Sequence, residues 1–210
     1  KLTPTFKFQK NDPSLESQWR ALILFGKNCA TYKFALAKSL LEWPNLDERR
    51  IKLKDLAIPF AKNMVRHIKQ ADDNQPPNEY LSLGLQQFNT GKIDSSELYS
   101  ITEKLAFKHV IDAFHNVHGG TLGTEFYHKD DKHRDNAILL SDAFIRLRET
   151  SDIASLVEEV ESRWELVETA WTLGLSVKSI KDSTFIEDLT LPDSPSTFDR
   201  NQNLLDPFPC

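Results

Sequence analysis

Apolar side chains recur at spacings of three and four along residues 13–43. At 100° per residue, Leu22, Phe25, Cys29, Leu36 and Leu40 share one face, and Trp19, Ile23, Ala30, Phe34, Ala37 and Leu41 widen it. The pattern predicts one long helix, apolar over about half its circumference, and an arc that broad belongs to a helix in the middle of a domain. Asp12 suits the N-cap and Pro13 the first helical position, while Pro44 stops the helix near Trp43. Residues 1–11 read as an extended lead-in, with Phe6 and Phe8 alternating with lysines.

The charged connection 45–54 predicts a short strand, Ile51 to Leu53, before a second helix from Asp55 to Gln70. That helix buries Leu56, Phe60, Met64 and Ile68 with Val65 beside them, and tolerates Pro59 if it lies in the first turn. Residues 72–77 are a loop; a third helix spans Asn78 to Phe88 and ends at Asn89-Thr90-Gly91. Asp94-Ser95-Ser96-Glu97 is a capping box that opens a fourth helix, ending at Phe114 or Val117. Its inward residues are Leu98, Ile101, Leu105, Val110 and Phe114, and Gly119, Gly120 and Gly123 break it. Alternating segments 124–127 and 137–140 predict a β-hairpin around the polar loop 128–136. Ser141 or Asp142 caps a helix to Arg148. The last helix, Ile153 to Leu173, buries Val157, Val160, Trp164, Val167 and Trp171 and ends at Gly174. Glu158, Glu159, Glu161, Glu165 and Glu168 are expected on its solvent side.

The fold class that follows is mainly α: one multi-helix domain over residues 1–180, a small β-hairpin at about 124–140, and an extended acidic tail. Residues 181–210 hold four of the ten prolines and two basic against six acidic residues, the composition of a linker. No apolar run reaches a membrane-spanning length, so no membrane partner is expected. Two cysteines, Cys29 mid-helix and Cys210 at the terminus, do not make a disulfide framework. No secretory signal pattern is visible, which together with the cysteine usage favours a cytoplasmic protein. The chain starts at Lys1 rather than Met, consistent with a processed or trimmed product.

The net charge of -5 divides unevenly. Residues 1–70 carry 14 Lys and Arg against 6 Asp and Glu, or +8; residues 71–210 carry 12 against 25, or -13. This fits a polyanion-binding face, and it equally fits two parts of one fold that attract each other. On the helical wheel Arg20, Lys27 and Lys38 form a narrow basic strip, which Arg66 and Lys69 of the second helix can join. These five are the candidate nucleic-acid contacts, through phosphates rather than stacked bases, since no exposed aromatic interleaves them. A second candidate is the set His109, His115, His118, His128 and His133 near Asp112, Asp130, Asp131 and Asp135, in which His115 and His118 are the weak metal candidates. A polar loop with helix-terminal histidines accounts for the same residues without a metal. No nucleophile elbow, P-loop or dinucleotide fingerprint occurs, so no catalytic residue is assigned and no cofactor is expected in this chain.

Trp19-Arg20-Ala21-Leu22-Ile23-Leu24-Phe25-Gly26 through Leu40-Leu41 resembles the N-terminal region of a group of bacterial HNH-endonuclease-domain proteins. So do Asp55-Leu56-Ala57, Pro59-Phe60-Ala61, Val110 to His115 and Trp164 to Trp171, so that the similarity spreads over residues 19–175. In that family a zinc-stabilised nuclease with paired cysteines and a catalytic histidine follows this region. Here no Cys-x-x-Cys pair follows residue 180, and the last histidine is His133. The resemblance therefore implies a DNA- or partner-recognition scaffold of an HNH-type nuclease, in restriction or defence against foreign DNA. Double-stranded DNA is the expected partner, with a nuclease chain as a second, and a divalent metal is expected only with an attached nuclease part. The alternative is a non-catalytic protein–protein interaction module that docks through the acidic last helix or the tail, with the basic strip used internally. A metal-dependent enzyme built on His115 to Asp135 is a third reading.

Overall fold

In the computed structural model the described residues are 14–25, 30–68, 79–117, 120–131, 133 and 135–173. The lead-in with Asp12 and Pro13, the loop 72–77, Cys29, Gly174, Cys210 and the segment 181–210 lie outside them. Eight helices and five short strands are assigned among the described residues, a mainly α fold with a small antiparallel sheet.

The segment expected as one helix contributes two: α1 (Leu15–Phe25) and α2 (Ala30–Leu41). Residues 26–29 between them lie outside the described residues. Trp19 of α1 and Lys33 of α2 both approach the Phe114 ring, at 5.7 Å each.

Strand β1 (Arg50–Lys52) follows, and then α3 (Leu53–Ile68), which starts two residues earlier than expected. Pro59 therefore lies beyond the first turn. It removes the N–H that would have bonded the Asp55 carbonyl, and Asp55 is exposed, so water can serve that carbonyl. Helix α4 (Glu79–Asn89) ends in a Schellman motif: the Lys92 N–H donates to the Gln87 carbonyl at 2.8 Å and the Gly91 N–H to the Phe88 carbonyl at 3.0 Å. The motif needs a left-handed residue, and Gly91 supplies it with φ +72°.

The capping box is present at the start of α5 (Ser95–Leu105): Asp94 Oδ1 accepts the Glu97 N–H at 2.9 Å, and the Asp94 N–H donates to Glu97 Oε2 at 3.3 Å. The expected fourth helix is interrupted at Ala106 and resumes as α6 (Phe107–Ala113). A two-residue ladder then pairs β2 (Asn116–Val117) with β3 (Gly120–Thr121), where helix or a bare glycine break was expected. The hairpin is present as β4 (Tyr127–Lys129) and β5 (Ala137–Leu140), its first strand three residues later than the alternation placed it. Strand β1 adds to its other side, giving the order β1-β5-β4 with Ile51 opposite Ile138. Ser141 caps α7 (Asp142–Thr150) by accepting the Phe144 N–H at 3.2 Å, and α8 (Ile153–Thr172) closes the described fold.

One continuous apolar cluster joins these elements. Trp19, 1% exposed, is its hub: Phe126 meets it edge-on at 5.1 Å, and Phe114 and Phe144 lie at 5.7 Å. Phe60 and Phe107 pair at 5.1 Å between α3 and α6, and Phe34 of α2 packs on Trp164 of α8 at 6.0 Å. Of the expected core residues, Leu22, Phe25, Leu36, Leu40, Leu56, Phe60, Met64, Leu98, Val110, Phe114, Val160, Trp164 and Val167 are buried, whereas Ile101, Leu105 and Val157 are half-buried. The side chains of Ile68 and Trp171 are outside those described.

Candidate functional site: the basic strip and the helix that covers it

The acidic side of α8 does not all face water. Glu158 and Glu165 are exposed, but Glu159, Glu161 and Glu168 turn onto cations of α1, α2 and α3. Arg20 makes a two-pronged contact with Glu159, Nε to Oε2 at 2.7 Å and Nη2 to Oε1 at 2.9 Å, and a further ion pair with Glu16 at 3.0 Å. The Glu159 hydrogen bond raises the Arg20 guanidinium pKa further above its ordinary value. Lys38 is buried, and its Nζ donates to Glu161 Oε2 at 2.5 Å.

Glu161 is shared. Its Oε1 lies 3.0 Å from His67 Nε2, and His67 Nδ1 lies 2.9 Å from Glu168 Oε2. With a carboxylate at each ring nitrogen, only a ring carrying both N–H groups can donate to the two of them. The His67 ring is 1% exposed and stacks flat on Trp164, 3.5 Å between centroids and 3° between planes. Lys38 and His67 thus hold Glu161 and Glu168 of α8 against α2 and α3. Burial alone would raise the Glu161 carboxyl pKa, but the Lys38 hydrogen bond and the charge of His67 hold it below its ordinary value. Beside the network, Asn63 Nδ2 donates to Ser39 Oγ at 3.3 Å, and Ser39 donates to the Ala35 carbonyl at 2.6 Å. Every element involved is fixed by the apolar core, and the charges bind three helices into one unit.

Of the five predicted nucleic-acid contacts, Arg20 and Lys38 thus face α8 rather than forming an open strip. Lys27 and Lys69 lie outside the described residues. Arg66 is exposed and has no carboxylate partner among the described residues. The same holds for Lys54 and Lys62, which share its side of α3 in a row of four-residue steps completed by the half-exposed Ile58. Asp55 is the single acid in the α3 sequence. Lys54 and Lys62 were not singled out from the sequence, although the row Lys54, Ile58, Lys62, Arg66 was its available signal.

Three other cations, Lys33 and Arg163 buried and Arg148 half-buried, face the interior. Lys33 donates to the Asn116 carbonyl at 2.7 Å over the Phe114 face. Arg148 reaches the Leu40 and Trp43 carbonyls at 3.4 and 3.2 Å, serving the C-terminal end of α2. Arg163 of α8 is buried with no hydrogen bond at Nε or Nη1, and burial lowers its guanidinium pKa.

The histidine set is dispersed. His115 is buried among Phe114, Phe126 and Tyr127, and its Nε2 accepts the Phe126 N–H at 2.9 Å, so that nitrogen is engaged by the backbone. Burial, with Lys33 and His128 adding to it, lowers the His115 pKa from 6.5 to about 4. His118 is outside the described residues and so is the side chain of His109. His128 pairs with Glu125 at 2.7 Å; His133 Nδ1 lies 2.6 Å from Asp130, which Arg50 also holds at 2.6 Å. Arg50 extends to Asp135 at 2.6 Å, and that contact lowers the Asp135 carboxyl pKa to about 2. Among the described residues no three metal-ligating side chains converge, and no helix is long and apolar enough to cross a membrane. No family model, no curated protein and no solved structure matches the chain.

Proposed function

We propose that this chain is a non-catalytic DNA-recognition scaffold of an HNH-type endonuclease system, and that it grips phosphates through α3. The resemblance of residues 19–175 supplies the nuclease context. The observation that supports the surface is the contrast within the basic half: Arg20 and Lys38 are engaged by Glu159 and Glu161, while Lys54, Lys62 and Arg66 stand exposed and unpaired among the described residues. From Lys54 to Arg66 the row extends about 18 Å along the helix axis, enough to address several phosphates spaced 3.4 Å apart along one strand's axis. Contacts of that kind position a protein on a duplex without reading its sequence. Cleavage, with its divalent metal, belongs to a nuclease part or partner chain.

The test is fluorescence anisotropy with a labelled duplex over a salt series. Three phosphate contacts give a slope of log affinity against log salt of about -2.7. Lys54→Glu/Lys62→Glu/Arg66→Glu should abolish binding, and Arg20→Ala should leave it nearly unchanged. A folded wild type whose affinity is flat with salt, or a triple variant that binds as wild type does, removes the reading.

A further inference from the structure

We infer that the outward face of α8 is a docking seam for a basic amphipathic helix of another protein. From Glu158 to Leu173 the exposed ones among the described side chains are Glu158, Ser162, Glu165, Leu166, Thr169 and Leu173. They form one stripe. Ser162, Leu166, Thr169 and Leu173 follow steps of four, three and four, the spacing of a coiled-coil seam. With Leu166 and Leu173 at the a positions and Ser162 and Thr169 at d, Glu158 and Glu165 both fall at g and flank the seam. The opposite face of the same helix, Leu156, Val160, Trp164 and Val167, is in the core. Helix α8 therefore carries two helix-packing faces, and the fold uses one. Leu166 and Leu173 are 43% and 67% exposed, with no described element over them.

Charge selects the occupant. Glu158 and Glu165 have no ion-pair partner among the described residues, unlike Glu159, Glu161 and Glu168. An antiparallel second copy would set Glu158 and Glu165 against themselves. A parallel copy would set them against Arg163 and Ala170, which are buried and out of reach. Residues 181–210 hold six acidic residues against two basic ones, so the chain's own continuation carries the same sign. The complementary helix brings Lys or Arg opposite Glu158 and Glu165, and long apolar side chains over the small Ser162 and Thr169. The seam covers about 16 Å of helix, a short interface of the transient kind.

The seam is argued independently of the α3 surface. Its test uses the full chain and two labelled three-heptad peptides, both with Leu at a and d, one with Lys and one with Glu at e and g. Anisotropy should show binding of the Lys peptide and at least about tenfold weaker binding of the Glu twin. Leu166→Ser/Leu173→Ser should weaken the Lys peptide at least about tenfold, and Glu158→Lys/Glu165→Lys should reverse the preference. All four positions are exposed, so thermal melts should match wild type. Equal affinity for the two peptides, or an unchanged affinity in the double Ser variant, overturns the inference. So does a wild type that dimerises and is returned to monomer by Leu166→Ser/Leu173→Ser, because the seam would then belong to a second copy. If Lys54→Glu/Lys62→Glu/Arg66→Glu loses DNA and still binds the Lys peptide, the two surfaces are separate.

Discussion

Acidification should weaken this fold through His115 in a way that one substitution can isolate. In the folded chain the ring is buried against three aromatics, accepts the Phe126 N–H, and takes up a proton only at about pH 4. In the unfolded chain it does so near pH 6.5. Between those values the unfolded state binds more protons, so stability falls as pH falls through the window and is unaffected by this ring above it. At 1.36 kcal/mol per pH unit the gap sets a ceiling of about 3.4 kcal/mol, of which about 2.5 kcal/mol is gone by pH 4.5. His115→Gln keeps an acceptor for the Phe126 N–H and has no titration. Urea unfolding of both proteins at pH 7 and pH 4.5 gives the comparison. The wild type should lose about 2.5 kcal/mol more than His115→Gln over that interval. Carboxylates titrate in both proteins and cancel in the difference. Equal losses would refute the reasoning, and would mean that the buried ring is protonated as readily in the fold as outside it.

Two further outcomes follow from the ionic contacts and caps. Lys38→Met should cost about 3 kcal/mol or more in urea unfolding, because it strips a buried partner from Glu161, whereas Arg20→Ala at the one-third-exposed edge should cost less than about 1 kcal/mol; equal costs would contradict the burial contrast. Asp94→Ala should cost about 1 kcal/mol by removing the α5 cap, read as a lower midpoint with an unchanged denaturant slope.

What was legible in the sequence was local. Asp94 with Glu97, Ser141 before α7 and the 3-4 periodicity of α8 each act within a few residues, and each is present in the structure. The partners of the first apolar face were not legible, because Trp19 and Phe34 lie on one face of the wheel while packing on different rings, Phe126 and Trp164. The interruption at Ala106 carries no proline or glycine to mark it. Strand β1 was expected, but its pairing with β5 joins residues more than eighty apart, which no window of pattern reaches. The basic strip was legible as charge and not as exposure. Its engagement depends on Glu159 and Glu161, and the only trace of that in the sequence is the opposite balance of the two halves, +8 against -13. His67 stood apart from the histidines that drew attention, and its place between two glutamates is set entirely by tertiary packing.

The closure of the basic strip by α8 also bears on how the chain is made. Arg20 and Lys38 leave the ribosome first, and their partners Glu159 and Glu161 follow more than 120 residues later. At 5–20 residues per second the interval is roughly 6–25 s. During that time Arg20 and Lys38 are without the carboxylates that engage them in the fold, and the Trp164-binding side of His67 is uncovered. Helix α8 therefore serves as an electrostatic lid that arrives after the cations it covers, and a product cut off before Ile153 would lack the carboxylates that engage Arg20, Lys38 and His67 rather than being a smaller version of the same protein.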